Sequence, residues 1–270
     1  MSFKSAFLGA ALAVGTLISA ATGANAGILD GVKILNLTGV TESSLTAGDM
    51  TIARAQLTGE GATITDVAIG SFSAANLLNI DILYVGLTQN GFNAGQVSAI
   101  NSWIAAGGGL VAVGTERACC FGPSWEQLSN SFGLTGLGGD RDAQPNAADP
   151  TSPIVTGPFG TATSYQPAAT GAFNSALPAG ATAVWNGVDG NPIIVTLDVT
   201  GRAFFFGDTN FMENPYIGNG NNSIIWGNAF AFTGKVDQPP SEVPEPLTLT
   251  LFGAGLAGVA AMRRRKAKQA

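Results

Sequence analysis

The chain has 270 residues, of which 46% are hydrophobic and only 11% are charged, and its formal net charge is −6. Between Gly27 and Pro240, 6 basic residues stand against 16 acidic ones, so this part carries a net charge of −10 and repels nucleic acid. The sequence contains no histidine, which excludes Ser-His-Asp and Cys-His nucleophilic machinery and removes the commonest transition-metal ligand.

The N-terminal segment 1–26 has the pattern of a secretory signal peptide. A lysine precedes an uncharged, apolar run over residues 6–21, and Ala24 and Ala26 supply the small residues of a signal peptidase site. Cleavage after Ala26 leaves Gly27 as the first residue of the mature chain. An uncleaved N-terminal anchor is the alternative.

The body, residues 27–235, alternates buried-strand patterns with amphipathic helical patterns. The predicted strands are 32–37, 62–69, 81–87, 110–114, 181–185, 192–197 and 202–207, and the predicted helices are 49–57, 93–106, 124–132 and one capped by Asn222. This alternation favours a mostly parallel sheet. Residues 136–181 lose the periodicity, which predicts an irregular insertion that is either an ordered excursion with short strands or a mobile flap.

Three segments of the body resemble a known group of α/β domains. They are the helix and glycine turn 97–109 leading into 110–114, the run 153–159 with its Gly-Pro-Phe sequence, and residues 201–208. In these segments the body resembles class I glutamine amidotransferase-like domains, a flavodoxin-like group that also contains the trehalose-utilisation-type proteins. The resemblance implies a three-layer flavodoxin-like fold.

The resemblance does not extend to the catalytic residues of that group. Catalytic relatives carry a cysteine on the sharp turn after the strand that corresponds to 110–114, and a histidine serves this cysteine. Thr115 or Glu116 occupies that turn here, and histidine is missing. We therefore expect a body that is not an enzyme.

Ligands of parallel α/β sheets bind beyond the carboxyl ends of the strands, which indicates where a ligand crevice would lie. The polar residues expected there are Thr88, Thr115, Glu116, Arg117, Asp208 and Asn210. The alternative is that these residues only cap helices and form turns. The run 208–210, with Glu213 and Asn214, offers oxygen ligands suited to calcium but lacks a full calcium loop. We expect no cofactor, with calcium as the one metal left open.

The two cysteines, Cys119 and Cys120, are adjacent. In an oxidising compartment this pair predicts a vicinal disulfide, an intermolecular bridge or two inert thiols. A reactive thiol is a further alternative, for which Glu116 is the only nearby base. The spacing provides neither a zinc site nor a redox Cys-x-x-Cys motif.

The C-terminus carries three signals in succession, and the first of them lies within a linker, 236–246. They are Val243, Pro244, Glu245 and Pro246, the uncharged run 247–262, and a basic tail 263–270 that begins with Arg263, Arg264 and Arg265. As a helix the uncharged run covers about 24 Å, slightly less than the ~30 Å hydrocarbon core of a bilayer. Basic residues beside a transmembrane helix stay in the cytoplasm, so the body is expected outside.

These three signals resemble the sorting signal of PEP-CTERM proteins. The resemblance implies export across the inner membrane, transient anchoring by the tail, and cleavage near Pro-Glu-Pro by an exosortase. The sequence therefore predicts an exported protein that is first anchored in the inner membrane and later found at the cell surface or secreted.

Three function classes remain for the body. The favoured one is a non-catalytic surface protein associated with the exopolysaccharide matrix. The second is a module that binds a carbohydrate or calcium in the sheet crevice. The third is a histidine-free hydrolase that uses Glu116 and Asp208 as paired carboxylates.

Overall fold

The computed structural model describes residues 26–88, 91–114, 126–137, 142–168, 170–207 and 210–236. The strands in these ranges are β1 (Lys33–Thr38), β2 (Thr63–Ala68), β3 (Ile82–Val85), β4 (Gly109–Val113), β5 (Gly136–Leu137), β6 (Thr156–Gly157), β7 (Gly160–Thr161), β8 (Ala172–Phe173), β9 (Ala181–Asn186), β10 (Pro192–Asp198) and β11 (Arg202–Phe206). The α-helices are α1 (Thr51–Gly59), α2 (Ala94–Ala105), α3 (Glu126–Ser131) and α4 (Asn222–Thr233). Short 3₁₀ helices occupy Gly48–Met50, Ile69–Ser71 and Ala74–Leu77.

Seven strands form the central sheet in the order β2-β1-β3-β4-β11-β10-β9. The first five are mutually parallel, whereas β10 runs antiparallel to both of its neighbours. The loops 187–191 and 199–201 are too short for the parallel crossovers, which need about a dozen residues or more. The predicted mostly parallel sheet is confirmed.

Helices cover both faces of this sheet. Successive residues of the central strands point to opposite sides, so both faces carry apolar side chains against which helices pack. On one face Tyr84, Val111 and Phe204 pack with Leu57 of α1 and with Trp226 and Phe230 of α4. On the other face Leu83, Leu110 and Phe205 pack with Ile100 and Ile104 of α2 and with Leu128 of α3. Two separate apolar cores result, as expected for three layers.

Helix α2 begins at a capping box formed by Asn93 and Gln96. The side chain of Asn93 accepts a hydrogen bond from the Gln96 backbone N–H at 2.9 Å, and the Gln96 side chain accepts one from the Asn93 N–H at 3.0 Å. The helix ends in a Schellman motif with Gly107 in the left-handed conformation, at φ +108°. Gly107 N donates to Ile104 O, and Gly108 N donates to Trp103 O.

The N-terminus of α4 differs from the prediction. Asn222 is not the N-cap but the first helical residue, and its side chain is fully buried. It donates to Gln166 O at 3.0 Å and to Tyr216 O at 3.1 Å, and it accepts from Gln166 N at 3.1 Å. Asn221 is the N-cap, and its side chain makes no capping bond. The Asn222 side chain therefore binds backbone groups of Gln166 and Tyr216, and it does not cap its own helix as the sequence predicted.

The described parts of the insertion 136–181 form an ordered excursion with short strands, which is the first of the two predicted alternatives. Strand β5 pairs with β8, and β6 pairs with β7, both antiparallel. Buried apolar side chains, among them Ile154, Tyr165 and Phe173, attach the excursion to the two cores. A second run, 142–149, lies along the outer edge of the sheet, where Ala148 N donates to Val184 O of β9.

Most of the predicted targeting segments lie outside the described residues. These segments are the signal peptide up to residue 25, the greater part of the linker, the transmembrane run 247–262 and the basic tail. Among the helices of the described ranges, none has both the length and the apolar character that crossing a membrane requires.

Candidate functional site

Because β1, β3, β4 and β11 are parallel, their carboxyl ends meet at one edge of the sheet. We call the described residues 38–50, 86–88 and 210–217 at this edge the carboxyl edge. Of the six predicted crevice residues, Thr88 and Asn210 are described there. Thr115, Glu116, Arg117 and Asp208 lie outside the described residues, as do Cys119 and Cys120.

The two described crevice residues occupy different surroundings. Thr88 is buried, with 2% of its surface exposed, and it directly follows Leu87, which bridges to Glu42. Asn210 is half-buried, and its side-chain amide donates to Glu213 Oε1 at 3.0 Å. Asn210 therefore belongs to the loop that follows β11, and Thr88 belongs to the segment that follows β3.

The loop after β1 folds back over the ends of β1 and β3. Thr41 N and Glu42 N donate to Leu87 O at 2.7 and 3.2 Å, and the Tyr84 hydroxyl donates to Ser43 O at 2.6 Å. A Cβ on Gly86 would lie 2.5 Å from Glu42 O, so only glycine lets the loop come this close. In sheets of this topology the gap between these two strands is where ligands usually enter. Here the chain itself fills the described part of that gap.

A buried amide inside the sheet holds the same loop from below. Asn36 of β1 is fully buried, and its side-chain amide donates to Ser44 Oγ at 3.3 Å and to Asp66 Oδ1 at 2.7 Å. Its side-chain oxygen accepts from Leu45 N at 3.1 Å. Because a buried amide without partners costs free energy, this loop is fixed by the strand beneath it.

The loop after β11 is attached to the start of α1 by one asparagine. Asn214 Oδ1 accepts from Ile52 N at 2.9 Å, and its amide donates to Thr51 Oγ1 at 2.9 Å and to Gly48 O at 3.1 Å. The N-cap of α1 is Met50, whose side chain makes no capping bond. Asn214 therefore supplies from 162 residues away the capping acceptor that the local sequence lacks.

Two carboxylates, Glu213 and Asp49, act on the buried Tyr84 phenol at the carboxyl edge, and a third, Glu42, interacts with Asp49. Burial, followed by the charges of Glu213 and Asp49, raises the pKa of Tyr84 well above its ordinary value. Burial, and then the charge of Asp49, also raises the pKa of Glu42. The described part of this edge is therefore acidic, and Glu42 holds its proton more tightly than an exposed glutamate.

The described residues at the predicted calcium position are engaged within the protein. Glu213 accepts from Asn210, and the side-chain oxygen of Asn214 accepts from Ile52 N. In the described ranges, no group of three or more acidic or cysteine side chains is arranged to hold a metal ion.

Sequence reasoning missed Glu42, Asp49 and Tyr84 as residues of this edge. Glu42 follows the end of β1 by four residues, so its position after a predicted strand was a usable signal. Tyr84 lies within an apolar strand and reads as core, and no local pattern brings Asp49 to it.

Comparisons with known proteins agree with the two predicted resemblances. The sequence family described as the PEP-CTERM protein-sorting motif matches residues 242–266, a range that contains Val243–Pro246 and the arginines 263–265. No curated protein matches this chain in sequence.

Solved structures share the fold of the body at low sequence identity. The mmIFT52 N-terminal domain is 11% identical, with a TM-score of 0.59 over 75% of this chain and 97% of that one. A ThuA-like protein from Parabacteroides merdae is 12% identical, with a TM-score of 0.54 over 79% of this chain and 93% of that one. A glutamine amidotransferase from Thermotoga maritima is 13% identical and covers 66% of this chain and 75% of its own, but its TM-score of 0.42 adds no argument.

At these identities the likeness concerns the fold and not the activity. The chain therefore carries a PEP-CTERM protein-sorting motif at its C-terminus, after a body that has the flavodoxin-like strand order and shares its fold with the ThuA-like protein.

Proposed function

We propose that this protein is an exosortase substrate whose body acts without catalysis at the cell surface, in association with the exopolysaccharide matrix. The observation that carries the proposal is the sorting motif matched over residues 242–266, which implies export through a membrane-anchored precursor and an exosortase as processing partner. The exosortase releases the body by cutting near Pro244–Pro246, and the released body stays in the matrix.

The composition of the body supports a non-catalytic role. The chain lacks histidine, and the turn that carries the nucleophile in catalytic relatives holds Thr115 or Glu116 instead. The loop after β1 also covers the described part of the gap in which relatives of this topology bind ligands, since Glu42 pairs with Leu87 across it. We expect the body to work without a cofactor.

The acidity of the body supports release into a polysaccharide matrix rather than retention on the membrane. With 16 acidic and 6 basic residues between Gly27 and Pro240, the body is repelled by anionic lipid once the tail is removed. Because charged residues are few, the surface is rich in Gly, Asn, Thr and Ser. The Asn amides and the Thr and Ser hydroxyls suit hydrogen bonding to sugar hydroxyls.

Fractionation of cells with and without the exosortase tests the proposal. We expect the body in the matrix fraction of the exosortase-positive strain, and a tail-bearing precursor in the membrane fraction of the strain that lacks the enzyme. Replacing Pro244, Glu245 and Pro246 together by alanine gives the second result in both strains. Replacing Pro239 and Pro240, which lie outside the matched range, changes nothing.

Two results would overturn the proposal. The first is an identical distribution of the body in the two strains, which would show that the exosortase does not process this protein. The second is recovery of the whole body in the culture medium, which would show that the body does not associate with the matrix.

A further inference from the structure

A cavity of about 270 Å³ lies at the opposite edge of the sheet from the predicted crevice. It is formed where β3 and β4 begin and where α2 and α4 end, so both helix C-termini border it. The residues that matter for its chemistry are Asp81, Trp103, Gly107, Gly108, Thr233 and Lys235. None of them belongs to the carboxyl edge.

Trp103 forms the apolar wall of this cavity, and its ring is held in place by the backbone. A Cβ on Gly108 would lie 2.3 to 2.7 Å from the ring atoms Cδ2, Cε2 and Cε3, so the ring lies flat against a glycine that leaves room for it. The side chain is only partly buried, and within the described ranges its indole N–H has no hydrogen-bond partner. Trp103 thus presents both apolar surface and a donor.

Lys235 occupies a backbone position that usually belongs to glycine. Helix α4 ends in a Schellman motif, in which Lys235 N donates to Phe232 O and Val236 N donates to Ala231 O. Lys235 is left-handed, at φ +53°, which costs a non-glycine residue about 1–2 kcal/mol. The equivalent position of α2, on the same cavity, is Gly107.

The strained backbone places the lysine ammonium at the cavity rim. Lys235 Nζ donates to Thr200 O at 2.9 Å and stands next to Gly107. Since glycine would make the same helix end with less strain, the left-handed backbone at Lys235 points to a role for its side chain.

The electrostatic balance of the cavity favours a neutral, polar ligand. The Asp81 carboxylate, with one oxygen bonded to Lys33 N at 2.8 Å, and the two helix C-termini disfavour an anion. Lys235 disfavours a cation. The volume lies just below the range of about 300–1,000 Å³ that holds drug-sized ligands, so one small ring fits.

We propose that this cavity is a sugar-binding subsite that takes one neutral pyranose unit of a polysaccharide. The apolar C–H face of the ring lies on Trp103, the Asp81 carboxylate accepts from a hydroxyl, and the Lys235 ammonium donates to another. This inference rests on the proposed function, since it supplies the contact through which the released body holds the matrix.

Titration of the full-length chain in detergent micelles tests the subsite. The probes are methyl glucoside, methyl galactoside and N-acetylglucosamine, and their binding is measured by saturation-transfer NMR. We expect at least one of them to bind with a millimolar Kd. Trp103→Ala raises that Kd by about tenfold or more. Leu78→Ala, which removes an exposed side chain from the neighbouring groove, leaves the Kd unchanged.

Lys235→Gly separates binding from folding. We expect this variant to unfold at the same or a higher urea concentration than the wild type, because the strain is relieved, and to bind the sugar about threefold or more weakly. Its result decides the proposal even if Trp103→Ala does not fold. An unchanged Kd in Lys235→Gly, an equal loss in Leu78→Ala, or no binding of any probe to the wild type would each overturn the subsite.

The outcome can be told apart from a failure of the proposed function. If none of the probes binds but the body is still cut and kept in the matrix, only the subsite is wrong. If the body is not kept in the matrix, the proposed function is wrong whatever the titration shows.

Discussion

Asn228 anchors the insertion to the body, and its removal should destabilise the whole domain. Its side chain is fully buried in α4 and makes three hydrogen bonds to the insertion backbone. It accepts from Phe159 N at 2.9 Å and donates to Ile154 O and Gly160 O, both at 3.1 Å. A Cβ on Gly157 would lie 2.5 Å from Asn228 Oδ1, so the strand passes directly over this amide.

Asn228→Ala removes all three bonds and takes this partner from the buried Ile154 O and from the partly buried Phe159 N and Gly160 O. At about 1 kcal/mol net for each hydrogen bond, we expect a loss of about 3 kcal/mol in the free energy of unfolding. This is a large part of the 5–15 kcal/mol or so that holds a typical domain together. The whole domain should unfold at lower denaturant, with an unchanged m-value.

Asn221→Ala is the matched control, since this amide also binds the insertion but is only partly buried. Its Oδ1 accepts from Thr163 N at 2.9 Å and from Ser164 N at 3.0 Å, and water can replace it there. We expect the control to cost about 1 kcal/mol in urea unfolding. Equal losses in the two variants, or a loss below that of the control in Asn228→Ala, would refute the reasoning.

Three further predictions concern charge and close packing. Burial raises the pKa of Asp66, but hydrogen bonds, foremost from Arg54, outweigh it and hold this pKa below its ordinary value. The ionised Asp66 carboxylate therefore stabilises the fold above the ordinary carboxyl pKa, and this stabilisation is lost as pH falls through the pKa of Asp66 in the folded protein. In urea unfolding, Asp66→Asn should cost up to about 1 kcal/mol near neutral pH and nothing in acid. Glu42 has the opposite effect on the pH dependence of stability, because burial first of all raises its pKa. The free energy of unfolding should rise as pH falls from the pKa of Glu42 in the folded protein to its ordinary pKa, and Glu42→Gln should abolish that rise. Gly86→Ala should cost about 1–3 kcal/mol and speed hydrogen exchange in the loop after β1, whereas Gly48→Ala, with open space around its Cβ, should change neither.

The elements with strong local patterns were predictable from the sequence. Strand β4 follows the glycine turn after α2, and both ends of α2 carry local signals, the Asn93–Gln96 pair and Gly107. These signals act within a few residues, so a single sequence contains them.

The remainder depends on partners that are far apart in the chain. Asn214 caps α1 from 162 residues away, and Asn222 serves the insertion instead of its own helix. Strands β5 to β8 have two residues each, too few to show a period. At the carboxyl edge, the strand order explains where Thr88 and Asn210 lie, but the folding of the loop after β1 over the gap has no local signal.

The intact mass of the protein recovered from an exosortase-positive strain tests the central claim most directly. The account predicts a chain that begins at Gly27 and ends before the apolar run 247–262, because both targeting segments have been removed. A mass that includes residues beyond Arg263 in that strain would contradict it.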